Sequence, residues 1–474
     1  MVLTNTDIKE LSSKERAQTL AYLNALRTAS KLEPFSYDET LSKAAKAHAL
    51  YLANNEDEWD HDQQLGKALF LGQRPVDRAI KLGFPSLLVG ENLTPYYEVK
   101  QAVDSLMSAI YHRFGFFDPS FDLVGFDRHS KNGKSAFVFN MANSNLRDFC
   151  AGQSSKISPN KAYYKGLCVN PILSLDALLF KNYTRANVPK IIIYPHAGQR
   201  ALMPYFSGEN PDPYPECKVL SFPISVQFKN FDLKSFKFKK FVIFKLEGDS
   251  KKELKNTVVL NQANDLNKRF KEGEFALFSK DIFDFSASYE VQFSYELQGK
   301  AEQITWRFHT KTPDLDFFII DKALNDIEVN AGKNYALFYK PKHCNDAFYG
   351  SYSINSSSIE DGKKYVKPLD VNTALIYFMA SSNTRIDLTL IASNKESRKV
   401  RIKVKNQRLK SDFNKDSKDD LFHEIVDKNK LKEEELKANL EIRKLERNRY
   451  IRNIILVILV LLTFYLFFKL KGKS

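Results

Sequence analysis

Ile454 to Phe468 reads IILVILVLLTFYLFF, 15 residues without a charge. Such a run must be kept from water by a bilayer or by a protein core. A bilayer calls for about 20 residues of helix. If Arg452 and Lys469 reach out to the headgroups, 451–470 spans roughly 30 Å at ~1.5 Å per residue, which is enough. No comparable segment exists elsewhere in the chain to pack against it, so a single C-terminal transmembrane helix is expected. Everything before it is then a body carried on an anchor.

The net charge of +14 is concentrated after residue 395. A basic flank beside an apolar run suits anionic lipid headgroups and gives no reason to expect nucleic acid. Residues 412–450 are highly charged. Lys430 with Glu434 and Glu433 with Lys437 support an exposed helix, each pair contributing about 0.2–0.5 kcal/mol. Leu421, Ile425, Leu436, Leu440 and Leu445 recur without a sustained heptad. The segment reads as a helical stalk through which copies can self-associate as a coiled coil. Lys and Arg are denser before the span than after it, which by the positive-inside rule places the body in the cytoplasm. The first residues, MVLTNTDIKELSS, hold no apolar region of a signal peptide.

A length of 474 residues suggests about three domains, and 37 Phe with 22 Tyr favour a folded body over disorder. Leu20, Leu23, Ala25 and Leu26 repeat at helical spacing until Pro34, and Ser13 with Arg16 lacks a full capping box. A second helix opens at Tyr37-Asp38 with Leu41, Ala44, Ala45, Ala49 and Leu52 as its apolar stripe. His48 beside that stripe reads as a packed or half-exposed histidine. Arg74 to Leu82 reads as a short helix ended by Gly83, and Val89 leads into a Gly90-Glu91-Asn92 turn. Val99, Ala102, Val103, Leu106, Met107 and Ile110 form a further amphipathic helix ending near His112. Strands are expected at Asp122–Phe126 and Ser135–Asn140 around a 131–134 hairpin turn. The fold class of 15–150 is therefore α+β. Short strands between polar turns follow, and suggest one β-sandwich over 160–312 and a second, smaller one over 313–408. Four cysteines allow three pairings. Cys150 and Cys168 are the expected disulfide, because only a short inter-domain loop separates them.

Three residues attract chemical interest: His61, Glu91 and His112. Two imidazoles and a carboxylate can bind Zn²⁺ and leave coordination positions open. They can equally form a buried polar cluster or lie far apart. Their setting is more specific. Leu23-Asn24 with Arg27, Phe35 to Leu41, Ala44-Ala45 and His48-Ala49 resemble the opening helices of the CAP superfamily, the cysteine-rich secretory, venom-antigen and pathogenesis-related proteins that share the SCP domain. Asp77-Arg78 to Gly83 resembles the Arg-containing helix of the bacterial branch. Gly90-Glu91-Asn92 matches the family's GEN motif, and His112-Arg113 with Pro119 and Gly125 resembles its HR signature. The resemblance covers residues 15–145.

The resemblance implies an α-β-α sandwich with a surface cleft, and carries His61, Glu91, Asn92, His112 and Arg113 onto that cleft. His61, His112 and Glu91 are then the metal-ligand candidates, with Zn²⁺ as the cofactor and Glu91 as the candidate catalytic group. A second cleft glutamate, which many members carry soon after the first histidine, is replaced here by Leu71-Gly72-Gln73. Family members are mostly secreted or envelope proteins linked to lipid or sterol binding, so the resemblance places the body in the periplasm or outside the cell, against the charge rule. The downstream sandwiches resemble bacterial immunoglobulin-like modules. Three functions are compatible with these readings. One is a membrane-anchored envelope protein whose cleft binds a lipid or protein ligand or a divalent metal, with the β-domains as spacers or interaction modules. Another is a metal-dependent, peptidase-like hydrolase, and the third is an adhesion or scaffold protein with a vestigial cleft.

Overall fold

The first helix, α1 (Ser13–Ala29), is entered through a capping box. Ser12 Oγ accepts from the Glu15 amide, and the Glu15 carboxylate accepts from the Ser12 amide. The box lies one residue before the Ser13/Arg16 pair, which is why that pair shows none. In the computed structural model, residues 11–405 are described except 56, 153–161, 186–187, 230–232, 356–363 and 381–383. The expected stalk (412–450) and span (451–470) lie outside the described residues. Among the described residues no helix is long and apolar enough to cross a membrane.

The N-terminal domain continues through β1 (Ser36–Tyr37), α2 (Glu39–Asn54), α3 (Pro75–Lys81), β2 (Gly90–Thr94), α4 (Val99–Ser108), α5 (Ile110–Phe116), β3 (Leu123–Lys131), β4 (Lys134–Ala142) and α6 (Ser144–Ala151). Its sheet runs β1-β3-β4-β2, parallel at β1/β3 and antiparallel elsewhere. Because side chains alternate along a strand, β4 serves two layers. Phe137, Phe139 and Met141 pack with α1 and α4, whereas Ala136 and Val138 meet α2 through Ala45, Ala49 and Leu52. The helices thus sandwich the sheet. Gly90-Glu91-Asn92 begins a strand rather than a turn, as β2 pairs Gly90 to Thr94 against Met141 to Phe137. Gly90 is needed there for clearance, since a Cβ would come within 2.9 Å of the Phe121 ring.

A short connecting region follows: β5 (Tyr163–Tyr164), β6 (Leu175–Asp176) and α7 (Ala177–Arg185). Cys150 at the end of α6 is joined to Cys168 within it. The first β-module holds β7 (Ile191–Tyr194), β8 (Tyr205–Phe206), β9 (Leu220–Ser221), β10 (Ile224–Phe228), β11 (Phe236–Glu247), β12 (Ser250–Glu253), β13 (Thr257–Asn261), β14 (Glu274–Ser279), β15 (Ser288–Leu297) and β16 (Lys300–His309). Two four-stranded sheets, β13-β14-β10-β7 and β12-β11-β15-β16, face each other across Val226, Leu277, Ile243, Val291 and Phe293. The second module comprises β17 (Asp316–Ile320), β18 (Leu324–Asn330), β19 (Asn334–Tyr339), β20 (Tyr352–Asn355), β21 (Lys364–Pro368), β22 (Thr373–Phe378), β23 (Thr384–Ile391) and β24 (Ser397–Lys405). Its sheets, β17-β19-β22-β21 and β18-β24-β23-β20, close on Leu337, Ile376, Leu388 and Ile402.

The first module does more than follow the N-terminal domain. Its β13-β14-β10-β7 sheet is covered on both faces: the inner face by its own partner sheet, and the outer face, through Leu260, Ala276 and Phe278, by Ala109, Ile110 and Phe114 at the start of and within α5. Such burial of both sheet faces explains why β10 and β14 are buried at every position.

On β3, a Cβ at Gly125 would lie 2.1 Å from the Ser42 amide and 2.6 Å from the Asp38 carbonyl of α2's first turn. Both obstacles are backbone and cannot step aside. Gly125→Ala is therefore expected to lower stability by about 3 kcal/mol in urea unfolding of the full chain. An unchanged midpoint would show that α2 does not seat on β3 in this way.

Candidate functional site

Asn92 leaves β2 toward α5, which presents His112, and Glu91 leaves it toward Arg78 of α3. Loop 61–73 brings His61 across from them. This loop is organised by Gln63, whose side chain accepts from the Leu71 and Gly72 amides and donates to His48 Nδ1. His48 Nε2 donates to the Asp60 carbonyl at 3.0 Å, so both ring nitrogens of that histidine are engaged. Burial pushes His48 down to about 4, and it is neutral at neutral pH. It is a fully buried brace.

Glu91 is almost wholly buried, and Arg78, with no exposed surface, grips both of its oxygens at 3.0 and 2.8 Å. Arg78 also donates to the Gly72 and Gln73 carbonyls, fastening the His61 loop. Burial alone would raise the Glu91 carboxyl, but His48, Arg78 and the His61 hydrogen bond outweigh it and hold it at about 2. Since His48 is itself uncharged near pH 7, Arg78 supplies the charge that matters. Glu91 Oε1 also lies 3.7 Å from His48 Nε2 and, within hydrogen-bond distance, 3.1 Å from His61 Nδ1. An ionised carboxylate only accepts, so His61 carries its proton on Nδ1.

His61 and His112 face each other with ring centroids 6.2 Å apart and planes 29° from parallel. Asn92 steadies the second ring's backbone, donating to the His112 carbonyl at 2.8 Å. His112 Nδ1 meets a carboxylate from outside the N-terminal domain, Glu209 Oε2 at 2.9 Å. Glu209 lies between β8 and β9 of the first β-module with its side chain 2 % exposed. It also accepts from the Ile110 and Tyr111 amides. That supplies the N-terminal cap which Ala109, at the cap position, has no side-chain oxygen to provide. Burial raises the Glu209 carboxyl, against the pull of His112 and these amides. Tyr111 is held from the same module by a hydroxyl bond to Asp265.

Two sequence expectations need correction. Arg113 does not line the cleft. It is fully buried, donating to the Met107 and Pro223 carbonyls and to Ser225 Oγ, with the Tyr194 and Phe222 rings 4.8 and 4.9 Å from its guanidinium. Glu91 is not an available metal ligand or general base, because Arg78 and His61 occupy its oxygens. Among the described residues no three His, Cys, Asp or Glu side chains are placed to hold a metal ion. The imidazoles remain, at one end of a cavity of about 880 Å³ whose other walls include Phe121, Phe180, Phe228 and Arg269. Sequence reasoning missed Glu209. Its signal was faint: the tripeptide Gly-Glu-Asn of 90–92 occurs again at 208–210.

The family profile of the cysteine-rich secretory proteins, CAP, matches residues 20–141. Residues 20–141 are a CAP domain. Comparison with curated proteins gave no match. Among solved structures, the chain is similar to an outer surface protein from Borrelia burgdorferi, 21% identical, covering 28% of this chain and 96% of that one with a TM-score of 0.25. It is also similar to SporoSAG from Toxoplasma gondii, 9% identical, covering 36% and 84% with a TM-score of 0.21. The CAP domain thus supplies His61, Glu91, Asn92 and His112, and the module after it supplies Glu209.

The CAP-domain charges set a pH window. Free histidine in the unfolded chain binds its proton near 6.5, but folded His48 does so only near 4. The unfolded state therefore takes up more protons in between. Stability from this residue is complete above about 6.5 and falls as pH drops toward 4; that from Glu91 falls between 4.5 and 2. His48→Gln is expected to flatten the upper window in urea midpoints measured against pH, and an unaltered slope there would refute the assignment. Arg78→Met leaves Glu91 buried without its cation and is expected to cost about 3–5 kcal/mol, with much of the loss recovered in the Arg78→Met/Glu91→Gln double variant.

Proposed function

We propose that this chain is a membrane-anchored cell-envelope protein whose CAP domain binds a ligand in a cleft walled by the first β-module. The observation that carries the reading is the pair of opposed imidazoles, His61 and His112, each braced through Nδ1 by a buried carboxylate at one end of the inter-module cavity. The apolar walls at Leu88, Phe114, Phe121 and Phe180 suit the hydrophobic part of a lipid or protein ligand. In this reading a divalent ion such as Zn²⁺ would have two protein ligands, the Nε2 atoms of His61 and His112. When bound it would offer its other positions to donor atoms of the ligand. Binding is favoured over hydrolysis, since a general base must be free to take a proton and Glu91 is committed to Arg78.

Two disulfides, Cys150–Cys168 and Cys217–Cys344, support placing the body in an oxidising compartment, hence outside the cytoplasm. The expected span 451–470 supplies the anchor in this reading, and the two β-modules, of immunoglobulin-like type, lie between it and the CAP domain in the sequence.

Calorimetric titration of the full chain with Zn²⁺ is expected to show binding that His61→Ala and His112→Ala each weaken by at least about tenfold. Equal heats for parent and variants would sink the cleft assignment. Protease treatment of intact cells is expected to remove the body, and protection until lysis would reverse the orientation.

A further inference from the structure

The cleft histidines are held in the same way by carboxylates of different origin. Glu91 belongs to the CAP domain and Glu209 to the module after it, 97 residues beyond His112. We propose that Glu209 is a positioning residue of the cleft: it locks His112 in the Nδ1–H tautomer and leaves Nε2 for a ligand, so that the binding site is a composite of two modules. The proposal rests on the cleft being a binding site, but its first test does not depend on what binds.

The tautomer follows from the hydrogen-bond network. Glu209 Oε2 lies 2.9 Å from His112 Nδ1 and 3.1 Å from the Tyr111 amide, and Oε1 lies 2.5 Å from the Ile110 amide. The two amides can only donate, which casts the carboxylate as acceptor. A third donor, His112 Nδ1–H, completes the set. Nε2 makes no hydrogen bond among the described residues, and the ring stacks on His61, which carries its own proton on Nδ1 facing Glu91.

The rest of the module holds Glu209 in place. Asn267 Nδ2 donates to Tyr111 Oη at 3.0 Å and to the Asp212 carbonyl at 2.7 Å, linking the Glu209 segment to α5. Further along, Cys217 is bonded to Cys344, whose carbonyl accepts from the Lys218 and Val219 amides. Where the family resemblance expects a second cleft carboxylate this chain has Leu71-Gly72-Gln73, and the carboxylate that meets His112 comes from the following module.

The test uses the full chain labelled with ¹⁵N at its 8 histidines, with imidazole ¹H–¹⁵N correlations assigned by single His→Gln variants. His61 and His112 are both expected as Nδ1–H tautomers. In Glu209→Gln the amide oxygen still accepts from Ile110 and Tyr111, keeping the helix capped, but the amide nitrogen now faces His112 Nδ1 and can only donate. His112 is expected to switch to Nε2–H while His61 is unchanged. A His112 pattern identical in parent and variant would overturn the proposal. So would an Nε2–H tautomer in the parent, a result that needs no variant to fold. Zn²⁺ titration of Glu209→Gln is then expected to show affinity reduced about 10–100-fold. A tautomer switch in Glu209→Gln, with a parent that does not bind Zn²⁺, would uphold Glu209 and remove the cation from the functional reading.

Discussion

The Arg113 guanidinium is the contact on which the arrangement of this molecule turns. It is cut off from water, so burial brings it down to about 9, yet it remains a cation at neutral pH. Two aromatic rings, two carbonyls and a hydroxyl hold it, drawn from the CAP domain and from the β7–β10 side of the first β-module. Few side chains other than arginine can satisfy planar stacking and several separate acceptors at once. The adjacent residue, His112, points to the cleft. One dipeptide thus fixes a helix between two modules and presents an imidazole to the cleft, and the precision of the second task depends on the first.

Burial explains which features the sequence displayed. β24 shows its strand character in the sequence, because Arg398, Val400, Ile402 and Val404 alternate with exposed neighbours. β14 does not, because every one of its positions is buried between α5 and its own module, and alternation disappears when both faces are covered. β12, SKKE, carries no apolar residue to reveal it. In the cleft, family spacing led to His61, Glu91 and His112, while the roles of Arg78 and Arg113 depended on partners that spacing does not indicate. Glu209 lay beyond reach for a different reason. Its contact with His112 depends on how one module docks on another, and no local pattern records that.

The two cleft glutamates show how similar contacts arise from different electrostatics. Glu91 owes its charge to Arg78, which bonds both oxygens in a site nearly free of water. Among the described residues no Lys or Arg bonds Glu209, which accepts from a helix N-terminus and an imidazole while the Arg113 cation acts on it from further off. The helix end favours negative charge there. His61 is therefore braced by a rigid ion pair within one domain, and His112 by a contact as secure as the docking between modules.

The Cys217–Cys344 bridge closes a covalent ring across 127 positions. When tension is applied across the two ends of the chain, it passes through the sulfur atoms and bypasses everything between them, including most of the first module and the opening strands of the second. Fully drawn out, that segment would add roughly 440 Å at ~3.5 Å per residue, and the bridge withholds this length. Glu209 lies on the loaded side of the bridge, eight residues before Cys217. A pull on the molecule would therefore reach the wall of the cleft, along with β7 and β8, while the segment between the two cysteines carries no load.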